Sequence, residues 1–214
     1  MKVTDKITIT NEDNMELMSR YPDNYFELAI VDPPYGIGID KAMNANKGKQ
    51  GFNEYHSTNW DNSKPDKNYF NELKRVSKNQ IVWGGNYFTE FLEDKMCWIV
   101  WDKKQDNFSF SDGELAYTSF NTKLKFFRCS RSYATSSEGG RIHPTQKPIK
   151  LYEFLLMNYA KEGDKILDTH LGSGSIALAC HNLKFELTAC ELDKEYYLAA
   201  WRRIEQHAAQ QRMF

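Results

Sequence analysis

Apolar positions along this 214-residue chain fall into short runs of two kinds. Compact apolar runs predict strands at residues 6–10, 26–31, 80–83, 96–101, 114–120, 123–129, 165–167 and 186–190. Between them, apolar residues at three- and four-residue spacing predict helices. The first covers 11–21, with Met15, Leu17 and Met18 inward, and the second surrounds Tyr69, Phe70, Leu73 and Val76. A third is opened by Pro148 and carries Leu151, Phe154, Leu155 and Tyr159; others lie at 175–183 and from about 194 to the carboxyl end. Pro33-Pro34 stops the second strand, because proline cannot donate to a ladder. Strands alternating with helices describe an α/β sheet covered on both faces. Residues 36–65 and 130–145 follow neither period, and loops of that kind often carry function.

Composition narrows the class. Hydrophobic residues at 41% and aromatics at 14% belong to a folded globular chain, of a length that suits one domain. No apolar run is long enough to span a bilayer, and the amino terminus lacks a signal peptide's apolar stretch, so cytoplasmic residence is expected. Cys97, Cys129, Cys180 and Cys190 form no Cys-x-x-Cys pair and no cluster with histidine, which predicts reduced thiols and no metal. A net charge of −1 does not mark a nucleic-acid binder. Its distribution is less neutral, with eight Lys and Arg against four Asp and Glu between residues 103 and 147. That stretch is either a face for a phosphate backbone or ordinary solvated surface.

Three segments carry candidate chemistry. Asp32-Pro33-Pro34-Tyr35 follows a buried strand, which places it at the carboxyl edge of a parallel sheet, where ligand crevices form. It combines a carboxylate, a stiff turn of free carbonyls and a planar ring, which suits holding an amino group while its base stacks. A strand-ending turn with an aromatic cover is the other reading. Asp168-Thr169-His170-Leu171-Gly172-Ser173-Gly174-Ser175 lies between a strand and a helix. Its glycines allow a tight turn and close ligand approach, and Ser175 is expected to cap the helix. Glu191 ends the next strand, where an acid can bind a ribose hydroxyl. Without a Gly-x-Gly-x-x-Gly or Walker pattern, this describes a nucleoside site with an anion pocket. His143-Pro144-Thr145-Gln146-Lys147-Pro148 precedes the third helix, and its histidine has no second metal ligand at a suitable spacing.

These three motifs, in this order, resemble the β class of amino-methylating DNA methyltransferases, in which the catalytic half precedes the cofactor half. Trp83-Gly84-Gly85-Asn86 and residues 98–103 are similar to segments lining the catalytic half of that family. The resemblance implies a Rossmann-like class I methyltransferase fold: a mixed, mostly parallel seven-stranded sheet in circularly permuted motif order. It implies one domain over 1–214, with a catalytic half to about 102, a short target-recognition region at about 103–142 and a cofactor half beyond. It implies S-adenosylmethionine as cofactor, double-stranded DNA as partner, base flipping, no membrane or metal, and allows a homodimer. By the same resemblance, Asp32 and the Pro33 carbonyl accept the target amino group, Pro34 stiffens the turn and Tyr35 stacks on the extruded base. Asp168, Leu171, Gly172, Ser173, Gly174 and Ser175 hold the methionine end of the cofactor, Glu191 its ribose, while Thr145 and Lys147 border its carboxylate. Asp at the first motif position favours adenine N6.

Two departures stand out. Thr169-His170 replaces the Pro-Phe common in the family, and the recognition region is short. Cytosine N4, an RNA adenine and a binding-only subunit remain as alternatives, although such a subunit is expected to lose Asp32 or the glycine turn. The segment 36–65 interleaves Lys41, Lys47 and Lys49 with Phe52, Tyr55 and Trp60, which suits contact with DNA; a disordered surface loop or a dimer contact is the other reading.

Overall fold

A computed structural model describes residues 2–38, 61–105, 111–130, 140 and 142–211. Its strands are β1 (Ile7–Asn11), β2 (Phe26–Val31), β3 (Ser77–Trp83), β4 (Trp98–Asp102), β5 (Gly113–Thr118), β6 (Lys125–Arg128), β7 (Lys165–Asp168) and β8 (Glu186–Glu191). Its α-helices are α1 (Asn14–Ser19), α2 (Lys67–Val76), α3 (Ile149–Tyr159), α4 (Ser175–Leu183) and α5 (Lys194–Gln211), with a 3₁₀ turn at Gly85–Tyr87. All eight strands join one sheet, ordered β1-β8-β7-β2-β3-β5-β4-β6, one more than the expected seven. The extra strand is the edge strand β6, which extends the sheet by pairing parallel to β4. Only β5 runs antiparallel to its neighbours, so the sheet is mixed and mostly parallel, as expected.

Strand alternation divides the core in two, because successive side chains point to opposite faces. Leu28, Ile30, Ile81 and Trp83 pack with Leu151, Leu155, Ile176 and Ile204 of α3, α4 and α5. Ala29, Val31 and Val82 pack on the other face with Leu17 and Met18 of α1 and with Tyr69, Phe70 and Leu73 of α2. The first helix is shorter than expected. Asp13 caps it by accepting from the Met15 and Glu16 amides, while Asn11 stays in β1 and pairs with Glu191 of β8. Side-chain capping competes with helical continuation at such residues.

The order of strands places the site. From β7 the chain winds through α4 to β8, and from β2 it winds through α2 to β3, in the opposite direction along the sheet. Neighbouring parallel strands β7 and β2 are therefore the switch point, outside whose carboxyl ends a crevice forms. Asp32 and Asp168 follow or end those two strands.

Candidate active site

At that switch point lies a cleft of about 1160 Å³, whose lining includes Asp32, Tyr35, Lys147, His170, Gly172 and Glu191. Every segment singled out from the sequence contributes to it. Of the long segment 36–65, only the stems are described. Asp61 ties them together by accepting from the Gly36 amide at 2.8 Å and the Gly38 amide at 3.2 Å, through its carboxylate and carbonyl respectively. Lys41, Lys47, Lys49, Phe52, Tyr55 and Trp60 lie outside the described residues.

The glycine turn, residues 172–174, rests on main-chain conformation. Gly172 and Gly174 adopt φ of +52° and +73°, the left-handed region that favours glycine. A Cβ on Gly174 would also approach Ala200 Cβ at 3.3 Å and Ile204 Cδ1 at 3.4 Å on α5. Glu191 accepts from the Gly172 amide at 2.8 Å and the Asp193 amide at 2.9 Å, so it shapes the turn as well as lining it. Ser175 does not cap α4: Gly174 is the cap residue and Ser175 is already helical. The Ser175 hydroxyl accepts instead from Arg203 Nη1 at 3.0 Å, and the same nitrogen donates to the Ser173 carbonyl at 2.9 Å. Arg203 arrives from α5, and no spacing in the sequence linked it to the turn.

Asp168 is buried and accepts from the His170 amide at 2.9 Å. Burial, reinforced by the charges of Asp32 and Glu191, pushes its carboxyl up to about 8. Burial also raises Glu191. An opposite charge beside either acid would favour its ionised form.

The Thr169-His170 departure forms a hydrogen-bonded wall. Asn14 Nδ2 donates to His170 Nε2 at 3.1 Å, which leaves the proton on Nδ1, 2.9 Å from Thr169 Oγ1. That hydroxyl lies 2.7 Å from the Tyr69 hydroxyl. Burial lowers His170 to about 3, so the ring is neutral near pH 7. His143 is likewise pushed to about 3 by burial and by Lys147. Its Nδ1 accepts from the Thr145 amide at 3.3 Å, and its ring meets Tyr196 edge-on with centroids 4.3 Å apart.

The Asp32 turn is held differently. The Tyr35 hydroxyl donates to Asp32 Oδ1 at 2.7 Å, and burial followed by the Asp32 charge keeps that phenol protonated. Its ring stacks on Tyr87, with centroids 4.9 Å apart and planes 16° from parallel. Gly84, at φ +67°, makes room for the ring: a Cβ there would sit 2.2 Å from Tyr35 Cε1. Lys147, which the resemblance sets at the border of a cofactor carboxylate, reaches the Asp32 turn. Its buried ammonium donates to Asp32 Oδ2 and lies 3.1 Å from Glu114 Oε2 on β5. Lys103 reaches the other Glu114 oxygen at 2.8 Å. Two of the eight cations counted between residues 103 and 147 are thus buried in this cluster, which weakens the reading of that stretch as a basic face. Glu114, which the sequence reading did not single out, is the hub of the cluster.

Among the described residues no group of three or more His, Cys, Asp or Glu is placed to hold a metal. No described helix is long and apolar enough to cross a membrane.

This sheet order and cleft define the class I methyltransferase fold. The solved structures it resembles include M1.HpyAVI in complex with SAM, at TM-score 0.59 and 18% identity, covering 92% of this chain and 98% of that one. They also include the cytosine-N4-specific PvuII DNA methyltransferase, at TM-score 0.60 and 15% identity, covering 94% and 89%. Sequence comparison reaches further. The Type II methyltransferase M.HpaI of Haemophilus parainfluenzae is 25% identical over 236 residues, covering 89% of this chain and 72% of the relative. M2.DpnII of Streptococcus pneumoniae is 40% identical over a shorter stretch of 63 residues, 29% of this chain and 24% of that one. The profile of the N6/N4 DNA methylase family matches residues 53–202, and the chain belongs to that family of amino-methylating DNA methyltransferases.

Proposed function

We propose that this protein transfers a methyl group from S-adenosylmethionine to the N6 amino group of adenine in double-stranded DNA. One observation carries the reading: an acceptor turn at Asp32 and a glycine turn at Gly172–Gly174 open side by side into a single cleft. The cleft volume accommodates a nucleoside cofactor together with an extruded base. The carboxyl groups of Asp32 and Glu191 line it, which fits a cofactor carrying an ammonium and a sulfonium. Glu191 retains acceptor capacity for a ribose diol beyond its two amide bonds. When bound, S-adenosylmethionine supplies an electrophilic methyl whose bonding electrons stay on sulfur.

The chain's own residues supply position and charge. An exocyclic amino group is a weak nucleophile because its lone pair is delocalised into the ring. Asp32 and the Pro33 carbonyl accept its two hydrogens, localise that pair, and stabilise the positive charge that develops on nitrogen until its extra proton is lost to solvent. Tyr35 provides a ring for stacking. Because one partner, Tyr87, already lies parallel to it, the base meets a two-ring aromatic wall. Extruding the base costs about a few kcal/mol, and stacking returns roughly 1–3 kcal/mol of it.

Aspartate at the first motif position supports adenine. Cytosine N4 is the second reading, favoured by the likeness to the cytosine-N4-specific PvuII enzyme. Incubating genomic DNA free of modified bases with the protein and methyl-labelled cofactor, then digesting to nucleosides, separates the two. The expected product is N6-methyladenine; label in N4-methylcytosine would replace adenine, and unlabelled DNA would remove the activity altogether. Tyr35→Ala is expected to weaken transfer strongly. Tyr35→Phe, which keeps the ring but loses the bond to Asp32, is expected to weaken it less.

A further inference from the structure

The cluster behind the catalytic turn holds more charge than an amino acceptor requires. Asp32, Lys147, Glu114 and Lys103 form an unbroken line in which each cation touches one or two carboxylates. Both ammonium groups are buried, at 3% exposure for Lys147 and 6% for Lys103. Lys147 also lies 5.2 Å from the centre of the Trp83 ring, so an aromatic face backs the charge. Residues from four places meet here: the turn after β2, the loop before α3, strand β5 and the end of β4. Burying two ion pairs is costly, and such pairs are poor sources of stability. Their place beside the proposed amino acceptor points to function.

We infer that Lys147 is a positioning residue for methyl transfer, which holds Asp32 as an aimed carboxylate, while Glu114 shares the ammonium and leaves Asp32 free to accept the amino group. This rests on the methyltransferase reading and moves Lys147 from the cofactor's carboxylate to the target base. A carboxylate has about four acceptor sites on its two oxygens. Tyr35 and Lys147 take one each. Lys147 orients Oδ2, Tyr35 orients Oδ1, and the remaining sites face the cleft. Glu114 is what keeps Lys147 from being a simple neutralising partner. Its ammonium donates to Asp32 while pairing with Glu114 Oε2 at 3.1 Å, so one charge serves two carboxylates.

The electrostatics agree. Burial opposes the charge of Glu114, yet Lys147 and Lys103 bring it down to about 2. Burial likewise opposes the charge of Lys147, yet Asp32 and Glu114 raise it above the ordinary lysine value. The titratable groups facing Asp32 are Tyr35 on its own turn, Lys147 and then Glu114 behind it, Tyr69 of α2, Tyr152 of α3 and Asp168 at the end of β7. Lys147 is the one cation in that set. Without it, the Asp32 carboxylate loses the donor that orients Oδ2 and the cation paired with it.

The test compares Lys147→Met, Lys147→Arg and Glu114→Gln with the wild type. Single-turnover transfer to genomic DNA free of modified bases is measured at saturating DNA, and cofactor affinity by calorimetric titration. Lys147→Met is expected to lose about 10²-fold or more in rate, with cofactor affinity within about threefold of wild type. Lys147→Arg, which keeps the cation, recovers part of the rate. Glu114→Gln loses about tenfold, again with cofactor affinity held. A near-normal rate in Lys147→Met, or cofactor affinity falling in step with its rate, would overturn the proposal. Should Lys147→Met not fold, the proposal falls if Lys147→Arg or Glu114→Gln loses cofactor affinity in step with its rate. A wild type that binds cofactor but never labels DNA removes the underlying reading as well, a result the variants cannot mimic.

Discussion

The two turns at the switch point face one cleft but are built by opposite means. The glycine turn is shaped mainly by backbone conformation: two left-handed glycines, with amides donating to the Glu191 carboxylate and with Arg203 gripping a carbonyl and a hydroxyl. The Asp32 turn is shaped by side chains from distant segments, with Lys147, Glu114 and Lys103 behind it and Gly84 clearing space for Tyr35. Backbone sites tolerate change in side-chain chemistry but not in conformation. Ion-held sites should behave the other way round. Cofactor binding and transfer ought then to be separable by mutation.

Asp32→Ala tests that separation with the largest effect. Transfer should fall by about 10²–10³-fold or more, while calorimetric affinity for S-adenosylmethionine holds; near-normal transfer would end the acceptor assignment. Gly174→Val should do the reverse by abolishing measurable cofactor binding. Its β-branched side chain must adopt φ +73° and press on Ala200 and Ile204, at a cost of roughly 1–3 kcal/mol in stability from strain alone. The clash is with α5 rather than with the ligand, so a thermal melt should register it in the free protein.

Gly84→Ala crosses between the two designs, since a backbone feature there serves the ion-held turn. The added methyl meets Tyr35 at 2.2 Å and the residue is held at φ +67°. Transfer should drop by roughly tenfold to a hundredfold, with cofactor affinity unchanged; loss of affinity instead would show the two turns to be mechanically coupled.

Smaller effects come from pH. A cationic ligand favours ionised Asp168, so cofactor binding should release a proton, and affinity should rise with pH until about 8 and then level. Asp168→Asn should bind more weakly and with a flat profile. In the free protein Asp168 stays protonated above the unfolded-state value near 4, so its contribution to stability is full below that value and fades as pH rises through about 8. His143 and His170 act with the opposite sign. Their folded values near 3 lie below the unfolded value of about 6.5, so their contribution is full above that pH and fades in acid. Stability of the free protein should peak between about pH 6 and 7, and Asp168→Asn should extend the plateau toward alkali. A melting temperature that keeps rising from pH 7 to 9 in the wild type would contradict the value for Asp168.

Much of this was legible in the order of residues. The strand and helix periods located all eight strands, and the two motif turns could be placed at strand ends because prolines and glycines act on their own backbone. The length of the first helix and the cap of α4 were less legible, since a side chain such as Asp13 or Ser175 has competing local partners and packing selects among them. His170 was visible as a departure from the family, but its neutral form and proton position followed only from burial and from Asn14, 156 residues away.

What the sequence by itself determined is therefore the local chemistry: a rigid Asp-Pro-Pro-Tyr turn, a glycine turn and an acid at the end of the next strand, in permuted order. Only the tertiary structure decided that β2 and β7 are neighbours, that Glu114 and Lys103 stand behind Asp32, and that Lys147 turns toward the acceptor. The physical reason is range. Backbone conformation is set by a residue and its immediate neighbours, whereas a buried charge is defined by whatever the fold brings within a few ångströms, and the Asp32–Lys147 pair spans 115 positions.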